Sequence, residues 1–423
     1  KERNTELAKK YYLMAIEKNN FDSMNNLGIL YEKEGNIELA KKYYLMAIKN
    51  NSSDAMNNLG YLYEKEGNIE LAKKYYLMAI EKNNSNAMYN LGDLYEKGEG
   101  NIELAKKYYL MAIEKNNSIA MYNLGCLYNK EGNIELAKKY YLLSIEKNDS
   151  NAMNNLGFLY DEEGNIELAK KYYFMSTEQN NSCGMYNLGD LYEKEGNIEL
   201  AKKYYLLAIE KNDSYAMNNL GLLYDEEGNI ELAKKYYLMS IEQNNSGGMN
   251  NLGHLYEKEG NIELAKKYYL LSIDQNNSCA MNNLGLLYKE EGNIELAKKY
   301  YLLAIEENNS SAMNNLGCLY KEEGNIELAK KYYLLSIEQN SSYAMNNLGD
   351  LYEKEGNIEL AKKYYLMAIK KSSSHNKVYV DSYIKCCNKF PSDLIKENSN
   401  IKKLENSKIK KLENSKIKKL KIE

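Results

Sequence analysis

A single proline, Pro391, stands in 423 residues, and there is no tryptophan. Proline breaks helix interiors by removing a backbone donor and crowding the preceding turn, so its scarcity leaves long stretches free to be helical. Only two histidines are present, His254 and His375, and neither has Cys or carboxylate neighbours at metal-ligand spacing. The six cysteines (126, 183, 279, 318, 386 and 387) fit neither a disulfide framework nor a zinc site, and no apolar run long enough to span a bilayer or to serve as a signal peptide occurs. These absences lead us to expect a reducing, cytoplasmic setting with no metal, no cofactor and no membrane span. Basic excess is lacking as well. Lys and Arg number 56 against 60 Asp and Glu, whereas a nucleic-acid partner demands positive charge to meet its phosphates. No nucleophile with an adjacent base and no phosphate-gripping glycine loop is visible, so no catalytic residue is assigned and the chain reads as non-enzymatic.

What the sequence has is repetition. Length alone would suggest about three domains of roughly 150 residues, but the string Glu-Leu-Ala-Lys-Lys-Tyr-Tyr begins at positions 6, 38, 70, 103, 135, 167, 199, 231, 263, 295, 327 and 359, a spacing of 32 with one interval of 33. The extra residue is Gly98 or Glu99. Between the copies lie segments of the type Ala-Met-Asn-Asn-Leu-Gly-X-Leu-Tyr. Each unit reads as two helices. In the unit from Ser85, Ser85 is the expected N-cap, the first helix runs to about Lys97, and Gly100 takes the left-handed position after it. Asn101 then caps a second helix that ends near Lys115. At about 100° per residue, Met88, Leu91, Gly92 and Tyr95 form a packing stripe, with Asn86, Tyr89, Asp93 and Glu96 on the opposite side and Asn90 at its flank. Gly92 in that stripe lets the partner helix come close. A unit of this kind buries its stripe only by stacking on its neighbours, which predicts an all-α solenoid of tandem antiparallel helix pairs.

The run Asn90-Leu91-Gly92-X-Leu94-Tyr95, then Gly100, Ala105, Tyr109 and Ala112, repeated over most of the chain, resembles the tetratricopeptide family and its Sel1-like relatives. The spacing of 32, the Met where Trp is usual and the Asn in place of a closing Pro depart from the family pattern, while Gly98-Glu99-Gly100 looks like the Sel1 turn. The resemblance implies a superhelix whose concave groove, lined by first helices, holds proteins or extended peptides. It leaves open a substrate-targeting array of a larger enzyme or ubiquitin-ligase assembly. We divide the chain into helix-pair repeats (1–371), a divergent capping helix (372–391) and a low-complexity tail (392–423). Opening inside a second helix, with Lys1 rather than Met, the sequence leaves room for residues upstream.

Two slots of the first helix vary while the stripe stays constant. The slot after Leu-Gly holds Ile29, Tyr61, Asp93, Cys126, Phe158, Asp190, Leu222, His254, Leu286, Cys318 and Asp350, and the slot two before Met includes Ile119 and Tyr215. The candidate peptide-binding groove therefore comprises Asn90, Asp93, Tyr122, Asn123, Asn155, Phe158, Asn187, Asp190, Tyr215, Asn219, Asn251 and His254. The asparagines could pair with the backbone of an extended peptide, and the aspartates would add a preference for basic or polar segments. A competing reading is that the asparagines only tie neighbouring helices together. Residues 401–423 carry nine Lys against three Glu. Their apolar positions recur every eight residues and drift around a helix, so this stretch reads as a disordered basic tail suited to acidic surfaces, or as a helix formed on a partner or membrane, or as a coiled coil.

Overall fold

The computed structural model describes residues 2–18, 20, 22–372 and 377–389. His375, Pro391 and the basic tail lie outside the described residues. Among the described residues there are twenty-four α-helices, one π-helical turn and no strand. The chain divides into two compact units, Lys1–Ala216 and Met217–Glu423. Each is a run of the same antiparallel helix pair.

The pair of Ser85–Asp93 and Ile102–Glu114 shows why these residues fold this way. Its first helix is capped by Asn84, whose side chain accepts from the Ala87 N–H. Ser85 is thus the first helical residue and not the cap, because the preceding amide reaches the unpaired donors of the first turn. Asn101 caps the second helix as expected, accepting from Leu104 N–H. Gly100 has φ +65°, the left-handed conformation that needs no Cβ. Between pairs the same conformation falls on Asn83 (φ 61°) and its equivalents in other repeats. Asparagine tolerates it through its short polar side chain. The extra residue of this repeat is taken up as a π-helical turn, Leu94–Gly98, which lets Asn101 N–H still close onto Tyr95 O at 2.8 Å.

Burial is wider than the single stripe of Met88, Leu91, Gly92 and Tyr95. Ala87 and Leu94, on its other flank, are also buried, because this first helix is held between the second helices Ile69–Glu81 and Ile102–Glu114. In the first unit one core cluster joins Met88, Ala105, Tyr109 and Ala112 to Ala120, Leu124 and Leu127 of the following repeat. In the second, Met281, Ala297, Tyr301 and Ala304 join Ala312, Leu316 and Leu319 in the same way. Each fully buried leucine contributes about 1.5–3 kcal/mol, so most stabilisation lies within pairs and between adjacent ones. At the end of the second unit the helix Lys377–Lys389 buries Tyr383, Cys386 and Cys387 against Ala361 and Tyr365.

Candidate binding face on the first helices

The Lys-Lys-Tyr-Tyr string divides its labour. In the second helix Ile102–Glu114, Lys106 reaches forward to Glu131 of the next repeat at 2.8 Å, with its ammonium 5.4 Å from the centre of the Tyr128 ring. Tyr108 stacks on Tyr95 of the first helix, centroids 5.7 Å apart and 10° from parallel. Tyr109 is completely buried. Its ring lies against Gly92, where a Cβ would come within 2.8 Å of Cδ1. The glycine admits a tyrosine ring, so the close approach expected of the partner helix is made through one side chain.

A buried phenol calls for an acceptor, and in the following repeats a glutamate of the first helix supplies it. Tyr44 donates to Glu32 (2.7 Å), Tyr76 to Glu64 (2.6 Å), Tyr109 to Glu96 (2.9 Å), Tyr205 to Glu193 (2.6 Å) and Tyr269 to Glu257 (2.5 Å). Glu96, placed by the helical wheel on the outer side, is folded inward by this bond. Where the glutamate is missing the bond changes. Asn129 and Lys321 stand at the equivalent positions of two repeats, and there Tyr141 and Tyr333 turn to the thiols of Cys126 (3.5 Å) and Cys318 (3.4 Å). With Asp225 or Lys289 in that place, the Tyr237 and Tyr301 hydroxyls are buried without a partner. Burial, helped by the neighbouring carboxylates, holds the Tyr76 and Tyr109 hydroxyls protonated well beyond the ordinary tyrosine range. Tyr122 is pushed up to about 12, first by burial and then by Cys126.

The repeated asparagines bond one another. In the second unit Asn251 donates to Asn218 (3.0 Å), Asn283 to Asn250 (3.0 Å), Asn315 to Asn282 (2.9 Å) and Asn347 to Asn314 (2.9 Å), each across one repeat. Within a repeat the first amide donates to the second, as from Asn250 to Asn251 at 3.1 Å. The result is a polarised row of amides running over the first helices, a network whose members strengthen one another. In the first unit the row includes Asn58 to Asn25 (3.0 Å), Asn90 to Asn57 (2.9 Å) and Asn187 to Asn154 (2.8 Å). It breaks where Tyr replaces the first asparagine. After Tyr89, Asn123 donates to its own helix at Ile119 O (2.9 Å), and after Tyr122, Asn155 donates to the Tyr122 hydroxyl (3.2 Å). Asn219 accepts from Asn218 at 3.3 Å.

The other candidate residues stand on the first helices of their own units. Asp93 and Asp190 pair with Lys97 (2.6 Å) and Lys194 (2.8 Å) one turn on. His254 is half-exposed beside Glu257, and Tyr215 is 6.1 Å from Tyr186, centre to centre. On the first helices every exposed large apolar or aromatic side chain falls at a variable slot: Tyr61, Phe158, Ile119, Tyr215 and Tyr343. On second helices the exposed side chain is the same leucine nearly every time, as at Leu77, Leu110 and Leu142.

With this geometry in hand, the tetratricopeptide repeat profile matches residues 119–148, 150–173, 184–212, 214–246, 247–279, 280–311, 310–343 and 342–370. The chain belongs to the tetratricopeptide repeat family. A second tetratricopeptide repeat profile matches residues 25–87. The Sel1 repeat profile matches 1–20 and 85–117, the latter holding the π-helical turn. This tetratricopeptide array is similar to a protective antigen of uropathogenic Escherichia coli that displays an SLR fold, with 22% identity, TM-score 0.54, and 90% of this chain and 91% of that one covered. It is also similar to a Sel1 repeat protein from Oxalobacter formigenes (27% identity, TM-score 0.44, covering 51% and 96%) and to yeast Tom70 (13%, 0.49, 90% and 99%). The first of these likenesses supports the solenoid fold. Curated proteins yield no match. No described helix is long and apolar enough to cross a membrane.

Proposed function

We propose that this tetratricopeptide array is a non-enzymatic scaffold that holds extended peptide segments of protein partners along the first-helix face. One observation carries the reading: apolar exposure on the first helices is confined to positions that differ from repeat to repeat, such as Ile119, Phe158 and Tyr215. A row of identical side chains, like the second-helix leucines, has no means of telling one segment from another. A row that changes at every step does, provided each anchor enters a complementary side chain. The amide row beneath it spends one donor and one acceptor of most asparagines on its neighbours and leaves each amide a second hydrogen and a second lone pair for a peptide backbone. Peptides selected from a random library against the full chain should therefore bind it, and the triple change Ile119→Ser, Phe158→Ser and Tyr215→Ser should weaken them by about tenfold or more, ~1.4 kcal/mol. Leu77→Ser, Leu110→Ser and Leu142→Ser on the second helices should leave binding unchanged. Selected peptides that respond to the leucine changes and ignore the first-helix ones would defeat the assignment.

A further inference from the structure

Adjacent first helices in the first unit, Ser53–Lys65 and Ser85–Asp93, enclose a cleft of about 390 Å³ lined by Asn57, Asn58, Tyr61, Glu64, Tyr89, Asn90 and Asp93. We infer that this cleft takes the guanidinium of an arginine in the bound peptide. The inference rests on the first-helix face being a peptide-binding face, and it names the side chain that one station of that face selects.

Four features converge there. Two carboxylates, Glu64 and Asp93, line the cleft, and Glu64 is fixed in place by the bond from Tyr76. Asp93 Oδ1 is closed off from solvent and is met by the Lys97 ammonium at 2.6 Å, the cation that a guanidinium would displace. Two phenol rings, Tyr61 and Tyr89, border the same space. The Tyr61 face already attracts a cation, the Lys65 ammonium at 4.4 Å from its centre. The amide row ends here as well: Asn90 donates to Asn57, but Tyr89 stands where the asparagine that would donate to Asn90 Oδ1 should be. The acceptor end of a polarised row thus opens on the cleft, beside two carboxylates. Both resident lysines are long, half or more exposed, and held only from the rim. A guanidinium is flat enough to lie on a tyrosine ring and carries five donors in a fixed fork, enough to serve Asp93 and Asn90 Oδ1 together while Lys97 swings to solvent. An ammonium, more strongly hydrated and without the fork, serves fewer of these partners at once.

The test is fluorescence anisotropy on the full chain with one labelled peptide in four versions: a central Arg, citrulline, Lys or trimethyl-lysine. The Arg peptide should bind about tenfold more tightly than the citrulline isostere and more tightly than the other two. Asp93→Asn, which keeps the shape and removes the charge, should erase the Arg preference. Tyr61→Ser should weaken it. Leu110→Ser, on a second helix and outside the cleft, should leave it intact. Helicity and melting temperature of each variant establish that the fold is retained. Equal binding of Arg and citrulline, indifference to Asp93→Asn, or tighter binding of trimethyl-lysine would overturn the assignment. Because binding of the library-selected peptides is measured separately, those results would leave the wider peptide-holding reading standing, whereas loss of both would remove it too.

Discussion

At the scale of residues, the buried tyrosines make a natural experiment. Tyr76 and Tyr301 occupy equivalent places with no exposure, yet Tyr76 donates to Glu64 while Tyr301 has no partner. An unmade hydrogen bond in a dry site costs about 1–3 kcal/mol, whereas a made one to a charged group is worth about 1.5–3 kcal/mol. Tyr76→Phe should lower stability in thermal or denaturant melts, and Tyr301→Phe should leave it unchanged or raise it. A loss at both positions would mean that ring packing and not the hydroxyl sets the difference. The composition showed that tyrosines were plentiful. It did not show that the two members of each Tyr-Tyr pair differ, one stacked on a first-helix tyrosine and one sealed beneath a glycine, because adjacent residues on a helix point about 100° apart and only the neighbours decide what each meets.

At the scale of elements, the glycine of Leu-Gly governs how closely the two helices of a pair pack. A Cβ on Gly189 would lie 2.8 Å from Tyr205 Cδ1 and 3.3 Å from Ala201 O, so the ring or the helix must move. Gly189→Ala gains some helix propensity, but overpacking at such a contact costs about 1–3 kcal/mol and outweighs it. A lower midpoint in urea is the expected result, and a Leu at this position should do worse. A close approach at the glycine was legible in the string of stripe residues, though not the tyrosine ring that makes it, and so were the second-helix cap at Asn101 and the turn at Gly100. The amide row was legible only as the competing reading in which the asparagines tie neighbouring helices together, and its partners were not. Its bonds join residues 33 apart, such as Asn90 and Asn57, and pairing between first helices of different repeats has no local signal beyond the recurrence of two asparagines.

At the scale of the whole molecule, stability in a tandem array is close to a sum of repeat and nearest-neighbour terms. Removing residues 118–181, two repeats from within the first unit, joins Asn117 to Ser182 and keeps the capping amide ahead of a first helix. The shortened protein should keep its helicity per residue by circular dichroism and melt somewhat earlier. Collapse of the signal would contradict a neighbour-only architecture.

The sequence by itself determined the helix pair, its period, the turn at Gly100 and one side of the stacking surface, since these follow from short-range rules of helix capping, left-handed glycine and 3.6-residue periodicity. It also marked the slots that vary. Only the tertiary structure decided which polar groups those slots face. Glu96 turned inward to a buried phenol, Cys126 and Cys318 replaced absent glutamates, and Asn90 left its carbonyl open beside Asp93. Each of these depends on side chains that come from separate helices, and desolvation makes their hydrogen-bond partners matter only once the helices have packed.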